Sequence, residues 1–138
     1  MKHLCIDAWL KTLAVAVVAS STLAGPALAQ QAGNAQEGAE VFKKCRSCHD
    51  VGPGAKNKVG PLLNGIVGRK AGTIEGFSYS EANKAAGAKG LVWTEEVMFK
   101  YLENPLAFMP ANKMAFAGLK DEQDRKDVIA YLKTFEAK

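Results

Sequence analysis

The segment KKCRSCHD at 43–50 most constrains what this chain can fold into, because Cys45, Cys48 and His49 form a Cys-x-x-Cys-His motif. Two thiols three positions apart lie on one face of a helical turn, and an imidazole follows directly behind the second. This motif is typical of covalent haem attachment, in which each thiol forms a thioether with one vinyl group of the ring. The imidazole then serves as an axial ligand of the iron. The sequence therefore predicts one haem c held by these three residues.

The first 29 residues predict a cleaved secretory signal. Two lysines near the start precede an apolar run at 13–23, and a small-residue site ends the segment at Ala29. The run is too short to span a bilayer comfortably, and no stop-transfer pattern follows it. An uncleaved anchor is the alternative. We predict cleavage after Ala29, a periplasmic location, and a single mature domain of residues 30–138.

The same motif could also form a zinc site, a redox-active dithiol or a structural disulfide. Cleavage would leave Cys45 and Cys48 as the only thiols and His49 as the only histidine. A structural zinc site needs four protein ligands, so this cluster would have to recruit carboxylates. A thioredoxin-like dithiol belongs after a strand in a βαβ chain, and the sequence shows almost no alternating strand pattern. A disulfide between the cysteines leaves the neighbouring histidine unexplained, whereas haem attachment uses all three residues.

Composition and charge limit the classes of molecule that the chain can bind. The sequence has 18 Lys and Arg residues against 14 Asp and Glu residues, a formal net charge of +4. This mildly basic chain lacks the dense Lys/Arg stripe of a nucleic-acid-binding protein. A single domain of this size buries a limited fraction of its surface, so a large apolar ligand inside it would add substantially to its core.

The hydrophobic pattern predicts helices around long loops. Asn34 and Glu37 resemble a capping box at the start of a first helix, and a short helix is predicted from Ser80 to Gly87. Thr94 caps a third helix that ends before Pro105. Asp121 begins the last helix. Its apolar residues recur at helical spacing and form a stripe that comprises Val128, Ile129, Leu132 and Phe135. We predict that this stripe packs against Gly38 and Phe42 of the first helix.

The stretch at 51–76 is rich in glycine, contains two prolines, and has no sustained period. We interpret it as irregular loop. A loop of this length is unusual in a compact domain unless it packs on something rigid, and a haem would supply that surface.

The second axial position of the iron decides between two classes of function. A five-coordinate iron binds small molecules or peroxide. A sixth protein ligand closes that binding site, so electron transfer is the function that remains. Ligation by two histidines is excluded because His49 is alone in the mature chain. Met98 lies inside a predicted helix, where methionine is usually a packing residue. Met109 and Met114 both lie in LAFMPANKMAFAG, and local reasoning does not distinguish them.

Nearly the whole mature chain resembles class I cytochromes c, most closely the small bacterial cytochromes c2. The segments that match, in order, are EGAEVFKKCRSCH, KNKVGPLLNGIVGRKAG, GFSYSEANK, YLENP, NKMAFAG and DVIAYLK. The resemblance implies an all-α cytochrome c fold, in which a few helices and long loops enclose one covalent haem c and the terminal helices cross. It also implies that Met114 is the sixth ligand and that Met109 is a packing residue.

Other roles follow from the same resemblance. It implies that the carbonyl of Pro61 accepts from the imidazole of His49. It places three side chains around the haem propionates and two polar side chains near the methionine ligand: Arg69, Tyr79 and Trp93 form the first set, and Asn83 and Tyr101 the second. Ala111-Asn112 stands where Gly-Thr is common in the family, so we expect the Asn112 amide to replace a hydroxyl contact near a propionate.

The resemblance implies a soluble, monomeric one-electron carrier and not an enzyme. Such a carrier docks briefly on membrane complexes, with a bc1-type donor and an oxidase or a photosynthetic reaction centre as acceptor. It binds no nucleic acid and does not insert stably into the membrane. A haem enzyme or small-ligand binder with an open distal side is the alternative, and no distal histidine supports it. The predicted docking face consists of Lys44, Lys56, Lys58, Lys113 and Lys120.

Overall fold

A computed structural model describes residues 32–135, so the predicted signal segment lies outside the described residues. The β structure in this part of the chain is an isolated antiparallel bridge between Lys70 and Val92. The prediction of an all-α fold is confirmed. The five helices are α1 (Ala35–Phe42), α2 (Glu81–Ala88), α3 (Glu95–Glu103), α4 (Pro105–Phe108) and α5 (Glu122–Lys133).

The four longer helices begin where the sequence predicts. The capping side chains accept hydrogen bonds from backbone N–H groups of the first turn, and they belong to Asn34, Ser80, Thr94 and Asp121. The capping box predicted at α1 differs in one respect. The backbone N–H of Asn34 donates to Oδ1 of Asp127 at 2.7 Å, and not to Glu37. The cap of α1 is therefore also a tertiary contact with α5.

The sequence pattern does not predict the short helix α4, because Pro105 indicates only the end of the preceding helix. Proline suits the first position of a helix, where its missing N–H leaves no hydrogen bond unmade. Asn104 supplies the cap, and its Oδ1 accepts from the backbone N–H of Ala107 at 3.2 Å. The chain therefore makes one more helical turn before it reaches Met109.

Helices α1 and α5 cross at a glycine, as predicted. A Cβ atom on Gly38 would lie 2.0 Å from the carbonyl oxygen of Asp127, so a side chain there would prevent this approach. Phe42 packs against Tyr131 with ring centroids 5.4 Å apart. The predicted stripe of α5 is buried at Val128, Ile129 and Leu132. Phe135 lies beyond the end of α5 and contacts Tyr131 edge-on, with ring centroids 4.9 Å apart.

The glycine-rich segment at 51–76 is irregular, as predicted, and hydrogen bonds fix its path. The backbone N–H of Gly60 donates to the carbonyl of Cys48 at 2.8 Å. Further along, Ala71 N–H donates to Leu91 and Trp93 N–H donates to Arg69, each at 2.9 Å. The segment is thus hydrogen-bonded to the cysteine motif near one end and to the residues that precede α3 near the other. None of the helices within residues 32–135 combines the length and the hydropathy needed to cross a bilayer.

Candidate functional site

The Cys-x-x-Cys-His motif continues α1 by about one turn. The backbone N–H of Cys45 donates to the carbonyl of Phe42 at 2.8 Å, and the N–H of His49 donates to the carbonyl of Cys45 at 2.9 Å. Cys45 and Cys48 are both free thiols and both partly buried. The turn therefore presents two unpaired thiols and an imidazole together, which is the arrangement that the sequence predicts.

The environment of Cys45 argues against dithiol redox chemistry. Burial raises the pKa of its thiol to about 11, although the positive charge of Lys44 opposes this rise. Attacking cysteines of dithiol oxidoreductases have a lowered pKa, because the thiolate is the nucleophile. Cys45 instead lies in surroundings that favour a neutral sulfur, as a thioether would be.

The imidazole of His49 is oriented by Pro61. Its Nδ1 lies 2.7 Å from the carbonyl oxygen of Pro61. Burial lowers the pKa of His49, and the hydrogen bond to Pro61 partly opposes this shift. A neutral imidazole that donates from Nδ1 keeps the lone pair of Nε2 free for a metal. The contact predicted between these two residues is therefore present in the structure.

Gly60 is a functional residue that the sequence reasoning did not single out. A Cβ atom at this position would lie 2.4 Å from Cε1 of His49. The backbone of the loop therefore lies directly against the imidazole ring. The signal in the sequence was a glycine immediately before Pro61, the residue already expected to orient the histidine.

The three methionines differ in burial. Met98 and Met109 belong to the hydrophobic core, and each is 5% exposed. Met114 is only partly buried and packs against the edge of that core. The hydroxyl of Tyr101 lies 3.5 Å from its Sδ atom. Met114 is therefore the methionine that reaches out of the core and meets a polar partner.

The side chain of Asn112 is engaged within its own loop. Its Nδ2 donates to the carbonyls of Pro105 at 2.9 Å and Met109 at 2.7 Å, and its Oδ1 accepts from the N–H of Met114 at 2.7 Å. These bonds use both amide hydrogens. In this arrangement the Asn112 amide has no further hydrogen to offer a propionate.

Arg69, Tyr79 and Trp93 were expected to share one region. The guanidinium of Arg69 donates to the carbonyls of Asn64 at 3.0 Å and Leu62 at 3.2 Å. Burial lowers its pKa, and the phenol of Tyr79 acts in the opposite direction. Both Tyr79 and Trp93 are buried. Arg69 and Tyr79 thus influence one another electrostatically, and the carbonyl of Arg69 is bonded to Trp93 N–H.

Trp93 also links this region to the methionine. Its ring meets the ring of Tyr101 edge-on, with centroids 4.8 Å apart, and Tyr101 reaches Met114. The two predicted sets of side chains therefore join through an aromatic pair. Such pairs favour edge-to-face geometry because of the quadrupoles of the rings.

The residues present fit haem c. Two free thiols lie on one turn, an imidazole is oriented through Nδ1, and a thioether lies on another loop. Asn83 adds a buried Oδ1 atom that has no hydrogen-bond partner among the described residues. An amide oxygen only accepts hydrogen bonds, and neither a thioether nor an ionised propionate donates one, so the fit to haem c rests on the thiols, the imidazole and Met114. The donor set contains the sulfur and nitrogen atoms that haem c attachment and ligation require.

The five predicted docking lysines are exposed, but their ammonium groups differ in environment. Lys44 pairs with Asp124 at 2.9 Å, so its charge is partly balanced by α5. One acidic residue of the last helix therefore lies beside a predicted docking lysine. Lys58, Lys113 and Lys120 donate to the backbone carbonyls of Arg46, Ser78 and Glu103 respectively.

Comparison with known proteins identifies the family. The family model for cytochrome c matches residues 35–136. Cytochrome c2 of Blastochloris viridis is 57% identical over 112 residues, which cover 81% of this chain and 84% of that protein. Cytochrome c-550 of Ancylobacter novellus is 60% identical over 101 residues, which cover 73% of this chain and 94% of that protein.

A solved structure agrees with the sequence matches. The structure of cytochrome c2 from Rhodospirillum centenum superposes with a TM-score of 0.73 at 49% identity. The match covers 76% of this chain and all of that one. The predicted resemblance, fold and cofactor are confirmed. The chain belongs to the cytochrome c family, whose members are electron carriers and not enzymes, and which hold one covalently attached haem c.

Proposed function

We propose that this protein is a periplasmic one-electron shuttle whose haem c is ligated by His49 and Met114. In this proposal Cys45 and Cys48 form the two thioethers. Nε2 of His49 and Sδ of Met114 would be the two protein ligands of the iron. The iron supplies the one-electron Fe(III)/Fe(II) couple, and the protein supplies ligands, orientation and exclusion of water.

The difference in burial among the methionines carries the proposal. Met98 and Met109 are each 5% exposed and lie within the core, whereas Met114 is partly buried and contacts Tyr101. Other side chains already cover Met98 and Met109, whereas Met114 keeps an exposed surface that a bound haem would cover. The hydrogen bond from Tyr101 occupies one lone pair of the sulfur, and the other lone pair remains for the iron.

Several residues would orient these ligands. The carbonyl of Pro61 fixes the imidazole of His49, because a ligating histidine usually donates its other N–H to such a partner. Gly60 lets the backbone pass against the ring without a side chain. We propose that Asn83 and Tyr101 supply the polar contacts on the methionine side. The hydroxyl of Tyr101, 3.5 Å from Sδ of Met114, supports its part of this assignment, and the part of Asn83 rests on the family resemblance.

We further propose that Arg69, Tyr79 and Trp93 lie around the haem propionates. Arg69 is partly buried, and a guanidinium withdrawn from water is costly unless hydrogen bonds and negative charge compensate it. Arg69 already donates to two carbonyls, and a propionate would supply the charge. Burial of Tyr79 and Trp93 beside Arg69 would exclude water from this region.

The proposed location and partners rest on the chain and on its named relatives. A periplasmic location requires that residues 1–29 act as a cleaved signal, which the amino-terminal pattern supports. The proposed partners are a bc1-type donor complex and an oxidase or photosynthetic reaction centre as acceptor. Exposed lysines support brief electrostatic docking rather than a large apolar interface.

Replacement of each methionine in the exported holoprotein tests the ligation. A thioether raises the potential of the iron relative to stronger donors. Met114→Ala should lower the midpoint potential and allow carbon monoxide to bind the reduced protein. Met109→Leu should change neither property. Voltammetry and the visible spectrum under carbon monoxide measure both, and the reverse pattern would assign the ligand to Met109.

A further inference from the structure

The turn before Met114 holds an alanine in a conformation that normally requires glycine. Ala111 has a φ of 62°, the only positive value recorded for a non-glycine residue in the described part of the chain. The N–H of Asn112 donates to the carbonyl of Met109 at 3.2 Å and closes a four-residue turn. Because Pro110 at the second position has a fixed negative φ, a positive φ at the third position defines a type II turn. Glycine is the usual residue there, so Ala111 is strained.

The side chain of Asn112 joins three backbone groups around this strained turn. Its Nδ2 donates to the carbonyl of Pro105 in α4 at 2.9 Å and to that of Met109 at 2.7 Å. Its Oδ1 accepts from the N–H of Met114 at 2.7 Å. We name these three hydrogen bonds the Asn112 clamp. One amide thus connects a helix, the turn and the backbone of Met114.

We propose that Asn112 is the positioning residue for the Met114 ligand, an inference that rests on the proposed role of Met114. The Met114 backbone fixes the point from which the side chain reaches out, so a shift of this backbone would carry the Sδ atom away from a bound iron. That movement would break the bond to Oδ1 of Asn112. The strained turn at Ala111 favours such movement, and the clamp opposes it. The clamp therefore sets how readily another ligand displaces the sulfur.

The position of the clamp distinguishes it from an ordinary stabilising contact. Asn104 lies in the same region and also bonds a backbone group, because its Oδ1 accepts from Ala107 N–H at 3.2 Å. That bond caps α4 and does not involve the segment from Met109 to Met114. Loss of either asparagine should lower global stability, but only loss of Asn112 should loosen the ligand.

Titration of the oxidised holoprotein with imidazole tests this inference. Imidazole competes with the sulfur for the iron, so its apparent affinity reports how tightly Met114 is held. Asn112→Ala should raise this affinity at least about tenfold, since each lost hydrogen bond contributes roughly a factor of two to ten. Asn112→Asp keeps an acceptor for Met114 N–H but turns its other oxygen toward the carbonyls of Pro105 and Met109, so its imidazole affinity should also exceed that of wild type. Asn104→Ala should change it less than about twofold.

Amide hydrogen exchange in the reduced protein gives a second readout that does not depend on added ligand. Exchange of the Met114 N–H, measured by NMR, should be at least about tenfold faster in Asn112→Ala than in Asn104→Ala. If Asn112→Ala does not mature with haem, both measurements on Asn112→Asp carry the test. Similar results for the Asn112 and Asn104 variants would overturn the proposal.

Met114→Ala separates this inference from the ligation on which it rests. If Met114→Ala does not raise imidazole affinity, Met114 is not the ligand and both proposals fail. If Met114→Ala raises it and Asn112→Ala does not, ligation stands and the Asn112 clamp fails alone.

Discussion

The backbone at Gly60 lies against the imidazole of His49, so that a Cβ atom there would be 2.4 Å from Cε1. The next residue, Pro61, provides the carbonyl that contacts Nδ1 of the same ring at 2.7 Å. Two consecutive residues of an irregular loop therefore fix the imidazole, one through a hydrogen bond and the other through the absence of a side chain. The N–H of Gly60 also bonds Cys48, which ties this loop to the haem motif.

Gly60→Ala should displace the imidazole ring and weaken its bond to Pro61. Overpacking of this kind costs about 1–3 kcal/mol, which denaturant unfolding of the oxidised holoprotein would measure. The visible spectrum should change as well, because the iron ligand moves. Gly54→Ala is the control. No atom lies within 4 Å of a Cβ atom there, and only its φ of +75° opposes alanine, at roughly 1–2 kcal/mol. An unchanged spectrum in Gly60→Ala would contradict the contact.

Tyr79 should make stability depend on pH in the alkaline range. Burial raises the pKa of its phenol above the ordinary value of 10, while a backbone hydrogen bond at Ile74 and the charge of Arg69 lower it. The folded state therefore favours the protonated phenol. Its contribution to stability is complete below pH 10 and is lost as the pH rises through the folded pKa.

Tyr79→Phe should remove this part of the alkaline decline in the free energy of unfolding, measured with denaturant on the reduced protein. Arg69→Met should raise the pKa of Tyr79 further, because it removes the positive charge that lowers this pKa. An ultraviolet titration of tyrosinate reports that shift. A lower Tyr79 pKa in Arg69→Met would show that the electrostatic assignment is wrong.

Arg125 should contribute to stability through the segment that follows Met114. Its Nη1 donates to the carbonyls of Leu119 at 2.7 Å and Lys120 at 3.1 Å, and its guanidinium lies 4.3 Å from the centre of the Phe99 ring. Lysine cannot reproduce this forked, stacked geometry. Arg125→Lys should therefore cost about 1.5–3 kcal/mol in denaturant unfolding. The same change at exposed Arg46 should stay within about 0.5 kcal/mol, and equal losses would contradict the assignment.

Local chemistry explains which features the sequence predicted. Caps such as Ser80 and Thr94 act on the turn that follows them, so their residue types suffice to locate helix starts. The haem motif is equally local. The resemblance to a family supplied the link from Met114 to the iron, because Met109 and Met114 share one irregular segment. Burial distinguishes them only in the folded chain.

Features that depend on distant backbone were missed. The N–H of Asn34 bonds Asp127 across the α1 and α5 interface, and no local pattern indicates this. The amide of Asn112 was expected to face a propionate because of the residue it replaces. Its actual partners include the carbonyl of Pro105, which belongs to a helix that the sequence reasoning did not predict. Because the sequence does not predict α4, it also does not predict the contact between Asn112 and Pro105.

The lysine face should control the rate of electron transfer to an acidic partner. Lys58 and Lys113 are exposed and donate hydrogen bonds to backbone carbonyls. Neither forms an ion pair with an acidic residue within 32–135. Steering by charge is screened over about 10 Å at 0.1 M salt. The bimolecular rate should therefore fall as salt rises. Stopped-flow kinetics with an acidic redox partner over a range of salt measure this dependence.

Lys58→Glu and Lys113→Glu should slow the reaction at low salt and flatten its salt dependence. Lys133→Glu changes the net charge by the same amount on α5, where Lys133 pairs with Glu95 at 2.6 Å. Loss of that exposed pair costs no more than about 1 kcal/mol, so Lys133→Glu should remain folded. Its rate should change little, because Lys133 is not part of the proposed face and Glu95 already balances its charge. If Lys133→Glu slows the reaction as much as Lys113→Glu does, net charge alone governs association and the docking face does not exist.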